Sequence, residues 1–247
     1  MLSSPTIDKL KEMKLNGMVQ ALEDQMQQRG HEKMSFEERL GLLVDKEHLY
    51  RENRKLSARL RRARLKQDAC IEDIDFSASR GLNRQTIMKL AKCNWVREHH
   101  NIIITGLTGV GKSFVSCALA HKACLEGYTA RYMRAPRLFN ELEMARADGR
   151  YEKVLKTLAK VDILIVDDWG LSKLSSREER ELLEVMEDRY EMKSTIIASQ
   201  VPVKDWHGLI PNKTIADAVL DRIVHNSYRI EIAGDSMRKE KNSKEEM

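Results

Sequence analysis

Residues 102–113, Ile-Ile-Ile-Thr-Gly-Leu-Thr-Gly-Val-Gly-Lys-Ser, constrain this chain more than any other stretch. Four β-favouring residues lead into Gly106, four variable positions follow, and Gly111-Lys112-Ser113 closes the pattern G-x-x-x-x-G-K-[ST]. A strand before and a helix after are the context such a loop needs. A triphosphate asks for a concave run of backbone N–H donors at a helix N-terminus, where the positive end of the helix dipole faces the anion. Gly106, Gly109 and Gly111 let the main chain approach phosphates without a Cβ in the way. Lys112 supplies a charge for the β- and γ-phosphates, and the Ser113 hydroxyl can ligate Mg²⁺. Contacts to a nucleotide are therefore expected from Gly106, Leu107, Thr108, Gly109, Val110, Gly111, Lys112, Ser113 and Phe114. A Gly-rich turn that matches by chance is the competing reading.

A phosphate loop needs a metal partner on a neighbouring strand. Ile163-Leu164-Ile165-Val166 reads as a buried strand and ends in Asp167-Asp168. In an open α/β sheet the carboxyl edge is where ligands sit. Asp167 is expected to hold Mg²⁺ with Ser113, and Asp168 to polarise the attacking water as general base. Two acids opening an ordinary turn would look the same. Short strands near 102–105, 129–133, 163–166, 195–199 and 229–232 alternate with helices near 111–126, 136–147, 151–159, 176–191 and 213–226. That alternation predicts an α/β fold with a parallel five-stranded sheet flanked by helices. A helix over 82–97 leads into it.

Upstream of the sheet the pattern is helical. Residues 6–28 carry apolar side chains at steps of three and four, one amphipathic helix closed by Gly30. Ser35 with Glu38 forms a capping box that opens a second helix. This helix runs into a basic block: between Arg51 and Lys66 there are eight basic residues and one acid, Glu52. The segment carries +7 in a chain of net +5, leaving −2 for the rest. Such a block on a near-neutral body suggests a polyanionic partner. Arg51, Arg54, Lys55, Arg59, Arg62 and Lys66 line one flank, with Leu56 and Leu60 on the core side. No aromatic lies between Arg51 and Phe76, which favours duplex phosphate backbone over a base-stacking single-strand platform. A solvated basic face, or one neutralised by an acidic partner, is the alternative.

The periodicity breaks around Ala78-Ser79-Arg80-Gly81. The expected organisation is a helical N-terminal domain over 1–75, a linker and helix over 76–100, an ATPase domain over 101–235 and a polar tail over 236–247. Cys70, Cys93, Cys117 and Cys124 have neither CxxC nor metal-type spacing and read as reduced thiols. With no signal-peptide block and no apolar run of membrane length, a cytoplasmic, nucleoid-associated protein with no membrane partner is expected.

The chain resembles AAA+ ATPases of the DnaA/DnaC/IstB group, and IstB-like transposition helpers of bacterial insertion sequences in particular. The resemblance rests on Gly106–Ser113, Ala118–Ala123, Arg134–Phe139, Val166–Gly170, Ala216–Ile232 and Gly234–Arg238. Leu220–Asn226 and Gly234–Arg238 are its selective parts, since the phosphate loop is shared far more widely. It implies an ATPase that uses ATP and Mg²⁺. Gln200, after Ser199, would be a polar sensor of the γ-phosphate or lytic water, against a plain surface glutamine. Arg222 would be an arginine finger acting on the neighbouring subunit, against a surface ion pair with Asp221. Arg238 would be a second sensor. Asp168 departs from the glutamate usual in the superfamily, which implies slow hydrolysis, and little chain remains after residue 232 for a lid domain.

A finger acting in trans requires head-to-tail contacts between copies of the chain, closing to a ring or open as a spiral. The implied activity is ATP-dependent assembly on duplex DNA without sequence preference, and delivery of that DNA to a cognate transposase. A DnaC-like loader of a replicative helicase is the runner-up. A clamp that binds ATP without hydrolysing it is a third class.

Overall fold

The computed structural model describes residues 5–27, 34–76, 81–234 and 236–237. These divide into two compact units, one ending at Ala58 and the other beginning at Arg59.

The first unit contains α1 (Pro5–Glu12), α2 (Asn16–Gln27) and most of α3 (Phe36–Ala63). The helix expected over 6–28 is broken in two. Lys14 adopts a left-handed φ of 59° and Leu15 N–H closes back on Leu10 O at 2.9 Å, a turn that no Gly or Pro announces. Gly30, the expected stop, lies outside the described residues. The capping box opening α3 is present: Glu38 N–H donates to Ser35 Oγ at 3.2 Å and Ser35 N–H to Glu38 Oε2 at 2.7 Å. The buried Glu47 carboxylate caps the start of α2, accepting from Gly17 N–H at 2.7 Å and Met18 N–H at 3.2 Å. A negative group there meets both the orphan donors and the helix dipole.

The second unit starts with the end of α3, a 3₁₀ turn at Ile71–Asp73, α4 (Arg84–Leu90) and α5 (Asn94–Arg97). The helix expected over 82–97 is interrupted at Cys93, which sits at φ 58°. Of the breakpoint expected at 78–81, residues 78–80 lie outside the described residues and Gly81 takes a φ of 66°. From there the chain alternates: β1 (Asn101–Gly106), α6 (Lys112–Leu125), β2 (Ala130–Arg134), α7 (Ala135–Ala147) and α8 (Tyr151–Lys160). Then follow β3 (Ile163–Trp169), α9 (Ser176–Glu187), β4 (Ser194–Ser199), α10 (Lys213–Val224) and β5 (Ser227–Ile232).

The five strands are parallel in the order β2-β3-β4-β1-β5. Continuous apolar strands are what a parallel sheet covered on both faces demands, and Ile102, Ile103, Ile104 and Ile163 to Val166 are at most 1% exposed. On one side Trp169 and Trp206 pack edge to face at 5.9 Å among residues of α7, α9 and α10. On α6, Cys117 and Cys124 are completely buried and act as small hydrophobes, and all four cysteines are free.

Order decides the site. β4 lies between the strand that feeds the phosphate loop and the strand that ends in two aspartates, so the carboxyl ends of β1, β4 and β3 present their loops side by side. The register of β3 on β4 slips there: Val166 pairs Ile197 but Trp169 pairs Ser199. Three steps on β3 against two on β4 make a bulge at Asp167-Asp168, and Asp168 takes a left-handed φ of 59°. No helix among the described residues is long and apolar enough to cross a membrane.

Candidate functional site

The loop between β1 and α6 carries Gly106 at φ 151° and Gly109 at φ 88°. A Cβ at Gly106 would stand 2.2 Å from Ile232 O, and one at Gly109 would stand 2.1 Å from Ser236 Oγ. Both the conformations and the close approaches exclude a side chain. Met237 N–H donates to Gly109 O at 3.0 Å, so the chain after β5 returns to cross the loop. Arg238, the expected second sensor, lies outside the described residues.

Lys112 opens α6 and folds back, its Nζ donating to Gly106 O at 2.8 Å and Leu107 O at 2.7 Å. Burial holds its ammonium below the ordinary lysine value; Asp167 and Asp168 oppose that shift, and Lys66 adds to it. Ser113 Oγ donates to Asp167 Oδ2 at 2.6 Å, although the two are 54 residues apart. Tyr132, from β2, donates its hydroxyl to the same oxygen. Burial first, then that bond, pushes the Tyr132 phenol far above its usual range, so it stays a donor. Asp167 is 1% exposed and its Oδ1 accepts from Asp168 N–H at 2.9 Å.

Asp168 does not stand free. Arg134, at the end of β2, places Nε 2.5 Å from its Oδ2. Gln200, just past β4, accepts from Thr108 Oγ1 at 2.6 Å, which ties the expected sensor to the phosphate loop. Thr108, Lys112, Ser113, Asp168 and Gln200, with Phe114 and Met237, line a cleft of about 440 Å³. Leu107 is exposed on the loop and Val110 is buried beneath it. A cleft of that size suits a nucleotide. A hydroxyl and a carboxylate oxygen held together are ligands of the hard kind that Mg²⁺ takes, and the glycine-lined loop forms the cradle an anion needs, so the residues present fit both groups.

Arg222 is elsewhere. Asn101, the first residue of β1, donates through Nδ2 to Arg222 O at 3.0 Å, whereas the phosphate loop follows the last. The six residues of β1 put roughly 20 Å between them. Its guanidinium donates to Ala218 O at 2.8 Å, pairs with Glu187 at 3.1 Å and stacks 5.8 Å from the Tyr190 ring centroid.

The basic block divides. Arg51 pairs with Glu47 at 2.6 Å and Lys55 with Glu52 at 2.8 Å, while Arg54 and Arg62 are exposed. Arg59 Nε donates to Cys124 O at 2.9 Å, at the C-terminal end of α6. The placing of Lys66 on the helix flank needs correction. Lys66 lies beyond α3 altogether: Arg64 turns the chain at φ 50°, and Lys66 Nζ reaches within 3.5 Å of Asp167 Oδ2. The sequence reading thus missed Lys66 as a cleft residue, and Tyr132 and Arg134 as partners of the aspartates. Only the register of β2 on β3, with Arg134 opposite Asp167, would have pointed to the last two.

A β1–phosphate loop–α6 unit, a β3 aspartate meeting its serine, and this strand order define a P-loop nucleotide-binding fold. The family profile described as IstB-like ATP binding protein matches residues 8–245, and the chain belongs to that family. It is 48% identical to an insertion sequence ATP-binding protein of Sinorhizobium fredii over 244 residues, covering 99% of this chain and 100% of that one. It is 29% identical to the insertion sequence IS21 ATP-binding protein of Pseudomonas aeruginosa, over 93% of this chain and 86% of the other. Among solved structures, DnaI aligns with a TM-score of 0.59 at 23% identity, over 67% of this chain and 91% of that one. DnaA from Aquifex aeolicus aligns with 0.59 at 19%, over 74% and 57%. These two likenesses are of fold.

Proposed function

We propose that this chain is an ATP-dependent, DNA-binding helper of transposition: it assembles head to tail on duplex DNA, hydrolyses ATP between subunits and hands the DNA to a transposase. The observation that carries the nucleotide reading is the 2.6 Å bond from Ser113 to Asp167, which joins the phosphate loop to the acidic strand. In this reading the backbone of residues 106–111 and the Lys112 ammonium hold the phosphates, and Ser113 and Asp167 hold Mg²⁺. When bound, the metal neutralises developing phosphate charge. Asp168 takes the proton of the attacking water, once Arg134 yields it, and Gln200 orients that water. Tyr132 fixes the Asp167 carboxylate.

The position of Arg222 supports completion in trans. It stands at the opposite end of β1 from its own phosphate loop, so a role at a phosphate loop would have to be at that of another copy. The transposition context rests on the family and on relatives whose names place them in insertion sequences. The DNA partner rests on the exposed guanidinium groups of Arg54 and Arg62.

Sedimentation with short duplexes of unrelated sequence tests the whole reading. ATP and magnesium should convert a single copy into an oligomer on DNA, equally for each duplex. A chain that remains monomeric and off DNA at saturating MgATP would refute it, and capture of a replicative helicase instead of a transposase would favour the loader.

A further inference from the structure

The cleft contains a second lysine that the nucleotide reading has not used. α3 ends at Ala63, which is completely buried, and Arg64 turns the chain through a left-handed φ of 50°. The next residues are pinned to the ATPase core. Ala69, Ile71 and Ile74 are buried. Lys66 lines the same cleft as Lys112, with its Nζ 3.5 Å from Asp167 Oδ2. That oxygen is also the one Ser113 touches. One carboxylate oxygen thus receives two hydroxyl donors and an ammonium at the place where the residues fit a divalent cation.

We infer that Lys66 is a phosphate-binding residue of the nucleotide cleft, and that its ammonium takes the place of the divalent charge beside Asp167 when no metal is bound. This role rests on the nucleotide reading and adds to it. A triphosphate brings about four negative charges next to Asp167, and like charges at that range repel strongly. Without Mg²⁺, Lys112 and Lys66 are two cations lining the cleft that can offset them. With Mg²⁺ held by Ser113 and Asp167, the ion would supply that charge instead, and the Lys66 ammonium would swing away from the carboxylate oxygen they compete for. Its side chain is one-third exposed, which leaves it room to swing. Lys66 is therefore a residue of the nucleotide cleft.

Calorimetric titration of the full chain with ATP, once in EDTA and once in magnesium, separates this role from a structural one. Lys66→Ala should lose about tenfold in ATP affinity in EDTA, the usual worth of a charged hydrogen bond, and little or nothing in magnesium. Lys66→Arg should recover the EDTA affinity. Duplex binding by Lys66→Ala at saturating MgATP should match the parent chain. Equal losses in both buffers, no loss in either, or a loss confined to DNA binding would each overturn the inference. Failure of the parent chain itself to bind ATP would overturn the nucleotide reading and this inference with it.

Discussion

Arg134 Nε stands 2.5 Å from Asp168 Oδ2, joining the end of the edge strand β2 to the carboxylate that would activate water. Asp168 holds that position in a left-handed conformation at a bulge, an arrangement that costs of order 1 kcal/mol and persists only where the surroundings enforce it. In the proposed reading the ion pair would compete with catalysis for the same carboxylate. Arg134 is half exposed, so the pair is worth no more than about 1 kcal/mol. Steady-state hydrolysis by Arg134→Ala should rise, by up to about fivefold, with ATP affinity unchanged. A fall in rate would make Arg134 part of the catalytic machinery.

Lys112 donates to two loop carbonyls, Gly106 O and Leu107 O, that a nucleotide would replace with phosphate oxygens. Loss of hydrogen bonds between charged partners costs about 1.5–3 kcal/mol. Lys112→Ala should bind ATP roughly 10- to 150-fold more weakly by fluorescence titration while its thermal midpoint without nucleotide stays close to that of the parent.

Among the basic residues, Arg54 and Arg62 are exposed and Arg59 is tied to Cys124 O. Reversing Arg54 and Arg62 to Glu should weaken duplex binding and lower the slope of log K against log salt by about 0.9 for each phosphate no longer neutralised. Arg59→Glu should act through stability instead, visible as a lower thermal midpoint without a matching change in that slope.

Glu47 offers a pH test within the first unit. Burial alone would raise its carboxyl, but the Arg51 hydrogen bond and the N–H groups of Met18 and Gly17 outweigh that and hold it below the ordinary glutamate value. A depressed carboxyl contributes stability that is complete above the unfolded value and fades as pH falls through the folded one. Hydrogen exchange along α2 should therefore quicken as the solution is acidified below the normal glutamate range. In Glu47→Gln it should be faster already at neutral pH, by an amount equivalent to about 1 kcal/mol, and lose that acid dependence.

What the residues announced, and what they did not, divides by range. The β-favouring run before Gly106 and the glycine spacing are local, and so are the strand ending at Asp167-Asp168 and the capping box at Ser35 and Glu38. All stand where the pattern put them. The kinks at Lys14 and Cys93 went unread because neither residue has a backbone preference for φ > 0, and the surrounding packing imposes it. Arg134 on Asp168, Tyr132 on Asp167 and Lys66 on the same carboxylate join residues between 34 and 101 positions apart in sequence. Periodicity carries no information at that distance; strand order and register do. The basic block misled for a related reason. Helical spacing assigns a flank only while the helix lasts, and α3 stops at Ala63, short of Lys66.

Hydrolysis of ATP at a joint between two copies, with Arg222 of one completing the site of the other, is the central claim. Mixing two inactive variants measures this directly. Lys112→Ala lacks the phosphate grip but keeps its arginine; Arg222→Ala binds ATP but lacks the finger, a group worth about 10³-fold or more in rate. Each alone should show negligible hydrolysis on DNA, and an equimolar mixture should regain a substantial fraction of the parent rate. A mixture that co-assembles on DNA and stays inactive, or an Arg222→Ala variant that hydrolyses ATP normally by itself, would contradict it.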